Sequence, residues 1–124
     1  MPGRLRPLPP RDLATLLDRL DDAVRHDEPP TGDDERTAVK HFLAVLEHRH
    51  PGKSVEVRVP PYAAIQCIAG ARHTRGKPPA VVETDAETWL ALARGTLEFA
   101  AAVRDGRVSA SGERSDLSEH LPLT

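Results

Sequence analysis

Aromatic residues are scarce in this 124-residue chain: Phe42, Tyr62, Trp89 and Phe99 are all it has. The core must therefore be built from aliphatic side chains and alanine, and small side chains line gaps more readily than rings do. Cysteine is limited to Cys67, so the chain can form no internal disulfide and no cysteine-rich zinc site, and a reducing compartment fits. No stretch approaches the ~20 consecutive apolar residues of a membrane span, and Met1 to Pro10 lacks the apolar run of a signal peptide. A cytoplasmic protein is expected. The formal charge of -2 is also unlike that of a nucleic-acid binder, which needs a basic surface and stacking aromatics, so nucleic acid is not expected as a partner.

Prolines and charges, in contrast, are plentiful and unevenly placed. Pro-Pro pairs at 9–10, 29–30, 60–61 and 78–79 divide the chain, because each removes backbone donors and drives the preceding residue out of the helical region. Residues 18–36 carry eight acids against three bases, whereas residues 49–77 carry six bases against one acid. Two oppositely charged, solvated faces follow from this. Fourteen arginines against three lysines, with many alanines and prolines, point to a GC-rich bacterial coding sequence.

The length suits one domain, read as 12–124 behind a flexible leader of residues 1–11. Leu13, Leu16, Leu17, Leu20 and Val24 recur at helical spacing and predict an amphipathic helix over 12–26, with Asp12 as its cap. Val39, Phe42, Leu43 and Leu46 predict a second helix over 34–48, capped by Thr31 or Asp33 and ended by Pro51-Gly52. Val55, Val57 and Val59 alternate with polar residues as a strand, and Tyr62 to Ile68 follows as its antiparallel partner. A third strand covers Ala80 to Thr84. Thr84-Asp85-Ala86-Glu87 reads as a capping box opening a helix that buries Trp89, Leu90 and Ala93 and ends at Gly95. Thr96 is a candidate cap for a further helix over 97–104, apolar nearly all round and expected to be well buried. A weak strand over 107–111, a turn at Gly112 and a final helical turn at 116–120 complete the reading.

The series Gly95-Thr96-Leu97, an alanine-rich helix, Gly106-Arg107-Val108, Gly112 and a terminal turn bearing Leu117 resembles the sterol carrier protein signature. Val57-Arg58-Val59-Pro60-Pro61-Tyr62, the basic loop Arg72 to Gly76 and Val82-Glu83-Thr84-Asp85 before Trp89 are similar to a short actinobacterial branch of that family. The resemblance spans roughly residues 34–121. It implies an α+β fold with helices packed on one face of a largely antiparallel sheet, to which the helix over 12–26 is an addition. It also implies a non-catalytic carrier that holds a lipid tail, such as that of a fatty acid or acyl-CoA, between helices and sheet.

On that implication the apolar lining comprises Phe42, Leu46, Val57, Ile65, Trp89, Leu92, Phe99, Val103 and Leu117. Arg72, His73, Arg75 and Lys77 are the candidates for an anionic head group, because guanidinium and ammonium groups near backbone amides recognise carboxylate or phosphate. Taken singly, each residue of the first set is explained more readily by core packing, and the second set by a solvated loop. An empty apolar cavity costs about 24 cal/mol per Å³, so a void of ~300 Å³ would cost roughly 7 kcal/mol against a total domain stability of ~5–15 kcal/mol. An open, vacant tunnel is therefore not expected in so small a chain.

No catalytic residue, cofactor or metal ligand is expected. Cys67 lies in an apolar strand, the serines lack a nucleophile-elbow context, and His41 and His48 stand two helical turns apart, too far to share an ion. Two readings thus stand side by side: a carrier of an apolar small molecule or lipid, and an accessory module that binds a protein partner and has no ligand pocket.

Overall fold

The computed structural model describes residues 4–70 and 80–124. Its element order is α1 (Pro10–Arg25), α2 (Gly32–Arg49), β1 (Val55–Val59), β2 (Ala63–Cys67), β3 (Ala80–Thr84), α3 (Ala86–Arg94), α4 (Phe99–Arg104) and β4 (Val108–Ser111), followed by a 3-10 turn at Ser118–His120. The class is α+β.

The strands form one mixed sheet in the order β2-β1-β3-β4. β1 pairs with β2 in antiparallel register (Val57 opposite Ile65), β3 lies parallel to β1 (Val57 opposite Val82), and β4 returns antiparallel to β3. The sheet is largely antiparallel, as expected, with two of its three pairings of that kind; the central one is parallel. Side-chain alternation fixes which face is dry. Val55, Val57, Val59, Ile65, Cys67, Ala80, Val82 and Val108 are buried, while Arg58, Ala64, Gln66, Glu83 and Ser109 point to solvent on the other face.

One layer of helices covers the buried face. α2 presents Val39, Phe42, Leu43 and Leu46 to it, and Thr31 caps the helix by accepting a hydrogen bond from Asp34 N. α3 adds Trp89, Leu92 and Ala93, with the Trp89 indole donating to Val39 O at 3.3 Å. The α3 cap is Asp85, which accepts from Thr88 N; Thr84, the hydroxyl expected in that role, is the last residue of β3 and donates instead to Arg107 O. Gly95 closes α3 with φ at 83°, a left-handed conformation that glycine adopts without steric cost. Thr96 also belongs to this ending, its hydroxyl donating to Ala91 O, and α4 starts from Glu98 without a side-chain cap.

α1 begins at Pro10, inside the expected leader, and Leu5 and Leu8 pack onto the body. It is held by a separate small cluster of Leu16, Leu20 and Ala38. Arg19 adds a two-pronged ion pair to Asp34 on α2, and Arg94 on α3 reaches Asp21 at 3.0 Å. The α1–α2 cluster and these two bridges fix the helix across the α2–α3 layer.

Candidate functional site

Between helices and sheet the packing is tight. Leu46, Val57, Trp89 and Leu117 have 0% of their surface accessible, and Phe42 and Leu92 have 1%. A void large enough to hold a water would leave accessible surface on the side chains around it, so none borders the fully inaccessible ones. Eight of the nine expected lining residues therefore share one core cluster with Val39, Val55 and Val82. The ninth, Val103, does not: it is 38% exposed on α4, whose six residues turn only Phe99 and Ala102 inward. The expectation of a well-buried helix over 97–104 is corrected accordingly. One side of a short helix suffices to cover β4, and alanine is small enough to stay at the surface without cost.

Open space lies at the surface instead. A cleft of about 430 Å³ is lined by Leu92, Gly95, Leu97, Glu98, Phe99, Ala100, Ser118, Leu121 and Pro122. α3 and its glycine ending form one wall, the start of α4 another. The third is the C-terminal segment, which is anchored at both ends: Leu117 is fully buried, and Leu123 is 3% exposed with its N–H bonded to Ala93 O at 2.8 Å. Residues 118–122 thus form a strap over the α3–α4 corner. A side chain at Gly95 would press on the Pro122 ring at 3.3 Å, so the glycine also lets the strap approach. Glu98 is the one charged group in the lining.

The strap meets the end of α2 through His50 and His120, whose ring centroids are 4.2 Å apart. Burial holds the His50 pKa below the ordinary imidazole value, and the neighbouring His120 and Arg49 lower it further. Asp116, at the strap's entry, is lowered chiefly by its hydrogen bonds to Ser118.

Two of the expected lining residues, Leu92 and Phe99, border this cleft; the other seven do not. Leu97, Leu121 and Pro122 were not among the expected site residues, although the four-residue step from Leu117 to Leu121 marks an apolar edge on the terminal segment. The head-group candidates Arg72, His73, Arg75 and Lys77 lie outside the described residues. Cys67 is fully buried, and burial together with the Glu47 carboxylate pushes its thiol pKa up to about 12, which keeps it protonated at neutral pH. Among the described residues no three His, Cys, Asp or Glu side chains gather as a metal site would require, and no helix is long and apolar enough to cross a membrane.

A single helical layer on a one-sided sheet, closed by a C-terminal strap, is the arrangement against which known families can be set. A family model described as a bacterial SCP ortholog matches residues 32–123. The chain belongs to this sterol carrier protein family. The match takes in α2, the whole sheet, α3, α4 and the strap, so the family's fold, a lipid-binding or transfer fold, extends over every wall of the C-terminal cleft. α1 stands N-terminal to the matched region. Comparison with curated proteins finds no match.

A second, larger groove, about 820 Å³, runs between α1 and α3. Leu20, Val24, Leu90 and Ala91 supply apolar surface in it, and Asp21, Glu28, Glu35 and Glu87 supply four carboxylates against the two guanidiniums of Arg25 and Arg94. Strand residues line neither space.

Proposed function

We propose that this sterol carrier protein binds the hydrocarbon tail of a lipid-like molecule, such as a fatty acid or acyl-CoA, without chemistry, and that the tail lies in the cleft under the C-terminal strap. The observation that carries this reading is the apolar cleft of about 430 Å³ within the family-matched region, bordered by Leu92, Leu97, Phe99, Leu121 and Pro122. Its volume falls in the range of small-molecule sites. Each methylene removed from water contributes about 0.8 kcal/mol, so a tail burying eight of them offsets roughly 6 kcal/mol of association cost. A single carboxylate at the edge, Glu98, leaves the walls free for hydrocarbon. The basic segment containing Arg72, His73, Arg75 and Lys77 supplies a head-group anion site in this reading, and the carrier works in the cytoplasm.

The closed interior favours a second reading, an accessory module with the sterol carrier scaffold and no ligand pocket. Titration of a fluorescent fatty-acid probe, with native mass spectrometry of freshly purified protein, separates the two. Saturable one-to-one uptake and co-purified lipid are expected. Ala100→Trp, which places an indole in the cleft from an exposed position, is expected to weaken uptake about tenfold while the melting temperature holds. Absence of saturable uptake by the wild-type chain would leave only the module.

A further inference from the structure

The apolar stripe of α1 outruns the surface that covers it. Leu16, Leu20 and Val24 follow one another at four-residue steps on one side of the helix. The first two are 1% and 6% exposed against Ala38, but Val24 is 77% exposed and projects into the groove beside α3. Opposite it stand Leu90 and Ala91, both only partly covered. The floor is thus a short apolar trough between two helices, a shape that the apolar face of a third helix can fill.

The charge around the trough selects the occupant. Arg94 is already engaged by Asp21 at 3.0 Å, and Arg25 by Asp22. Glu35 accepts the Tyr62 hydroxyl at 2.7 Å. Glu28 and Glu87, both in the lining, are exposed and have no ion pair among the described residues. With both guanidiniums matched, the surplus is negative. A carboxylate or phosphate head group would be repelled here, whereas ammonium or guanidinium groups would be drawn in.

We infer that the α1–α3 groove docks a short cationic amphipathic helix of a partner protein. Apolar side chains of that helix seat on Leu20, Val24, Leu90 and Ala91, and its lysines or arginines face Glu28 and Glu87. The groove shares no lining residue with the C-terminal cleft, so this docking is independent of the lipid reading.

The test is fluorescence anisotropy with a labelled amphipathic peptide of about fourteen leucines and lysines, titrated with the full chain, beside a peptide in which every lysine is glutamate. Saturable binding of the lysine peptide is expected, weakening with salt, with the glutamate peptide at least about tenfold weaker. Val24→Lys, at an exposed position that leaves the core untouched, is expected to weaken the lysine peptide about tenfold, as is the pair Glu28→Lys with Glu87→Lys. The same charge change at Asp105→Lys with Glu113→Lys, away from the groove, is expected to leave affinity unaltered. Equal binding of both peptides, no binding of either, or indifference to Val24→Lys overturns the inference. So does a dimer in sedimentation, or vesicle binding without peptide, that Val24→Lys abolishes, since either would give the groove a different occupant.

Discussion

His41 shows how one buried polar residue ties the N-terminal segment to the body. It is 4% exposed on α2, its Nδ1 accepts the Leu8 N–H at 2.8 Å, and its ring meets Phe42 edge-on. Burial lowers its pKa below the usual imidazole value, and the accepting nitrogen cannot take a proton without breaking the Leu8 bond. The folded chain therefore binds fewer protons than the unfolded chain just below the unfolded pKa of about 6.5, and stability falls as the pH drops through that value toward the lowered one. His50, lowered chiefly by burial, acts in the same direction. His41→Asn keeps an acceptor and removes the titration. Its urea midpoint is expected to lose less between pH 7 and pH 5.5 than that of the wild type; equal losses would mean that the imidazole is not the source.

At the scale of elements, the reading of periodicity succeeded where one face of a segment is buried. α1, α2, α3 and the β1–β2 hairpin each carry a stripe of large aliphatic or aromatic residues, and each was legible. The caps of α2 and α3 were legible to within one residue, since Thr84 and Asp85 both offer an acceptor and only the backbone path decides between them, whereas Asp12, the expected cap of α1, lies inside that helix, which starts after Pro9 without a side-chain cap. α4 misled because alanine fits inside and outside alike. The pairing of β3 was not legible at all: a parallel neighbour is chosen by the crossover of the chain, and nothing in Ala80–Thr84 names β1 as its partner. The separate attachment of α1 leads to a prediction. A chain starting at Pro30 retains the family-matched region and the main core, and loses the burial of Leu16 and Leu20. It is expected to unfold in one transition, followed by Trp89 fluorescence, with stability lower by roughly 3–6 kcal/mol at most, the value of two buried leucines. A chain that is unfolded from the outset would show α1 to be part of the essential core.

Across the whole molecule, the question raised by the sequence was where a hydrocarbon tail could fit, and the candidate lining was only partly legible for a physical reason. Apolar residues that pack a core and apolar residues that line a pocket look the same in a sequence; what separates them is the distance between layers. Here the layers close, with Phe42, Leu46, Val57 and Trp89 in one core cluster, and within the family-matched region an apolar cleft opens where Leu92 to Ala100 faces residues 118–122, two segments whose proximity is set by the completed fold. Trp89, the sole tryptophan, reports which location a ligand takes. Its indole is fully buried, bonded to Val39 O and part of one core cluster with the strand valines, so a tail entering between helices and sheet must lift the helical layer from the strands and change the polarity and packing around the ring. A tail under the strap leaves that contact intact. Saturation with a non-fluorescent fatty acid is therefore expected to displace the probe and raise the melting temperature by linkage, while the Trp89 emission maximum stays fixed. A shift of that maximum with saturation would place the tail in the interior, and would require the helical layer to open by separating side chains that are now in van der Waals contact.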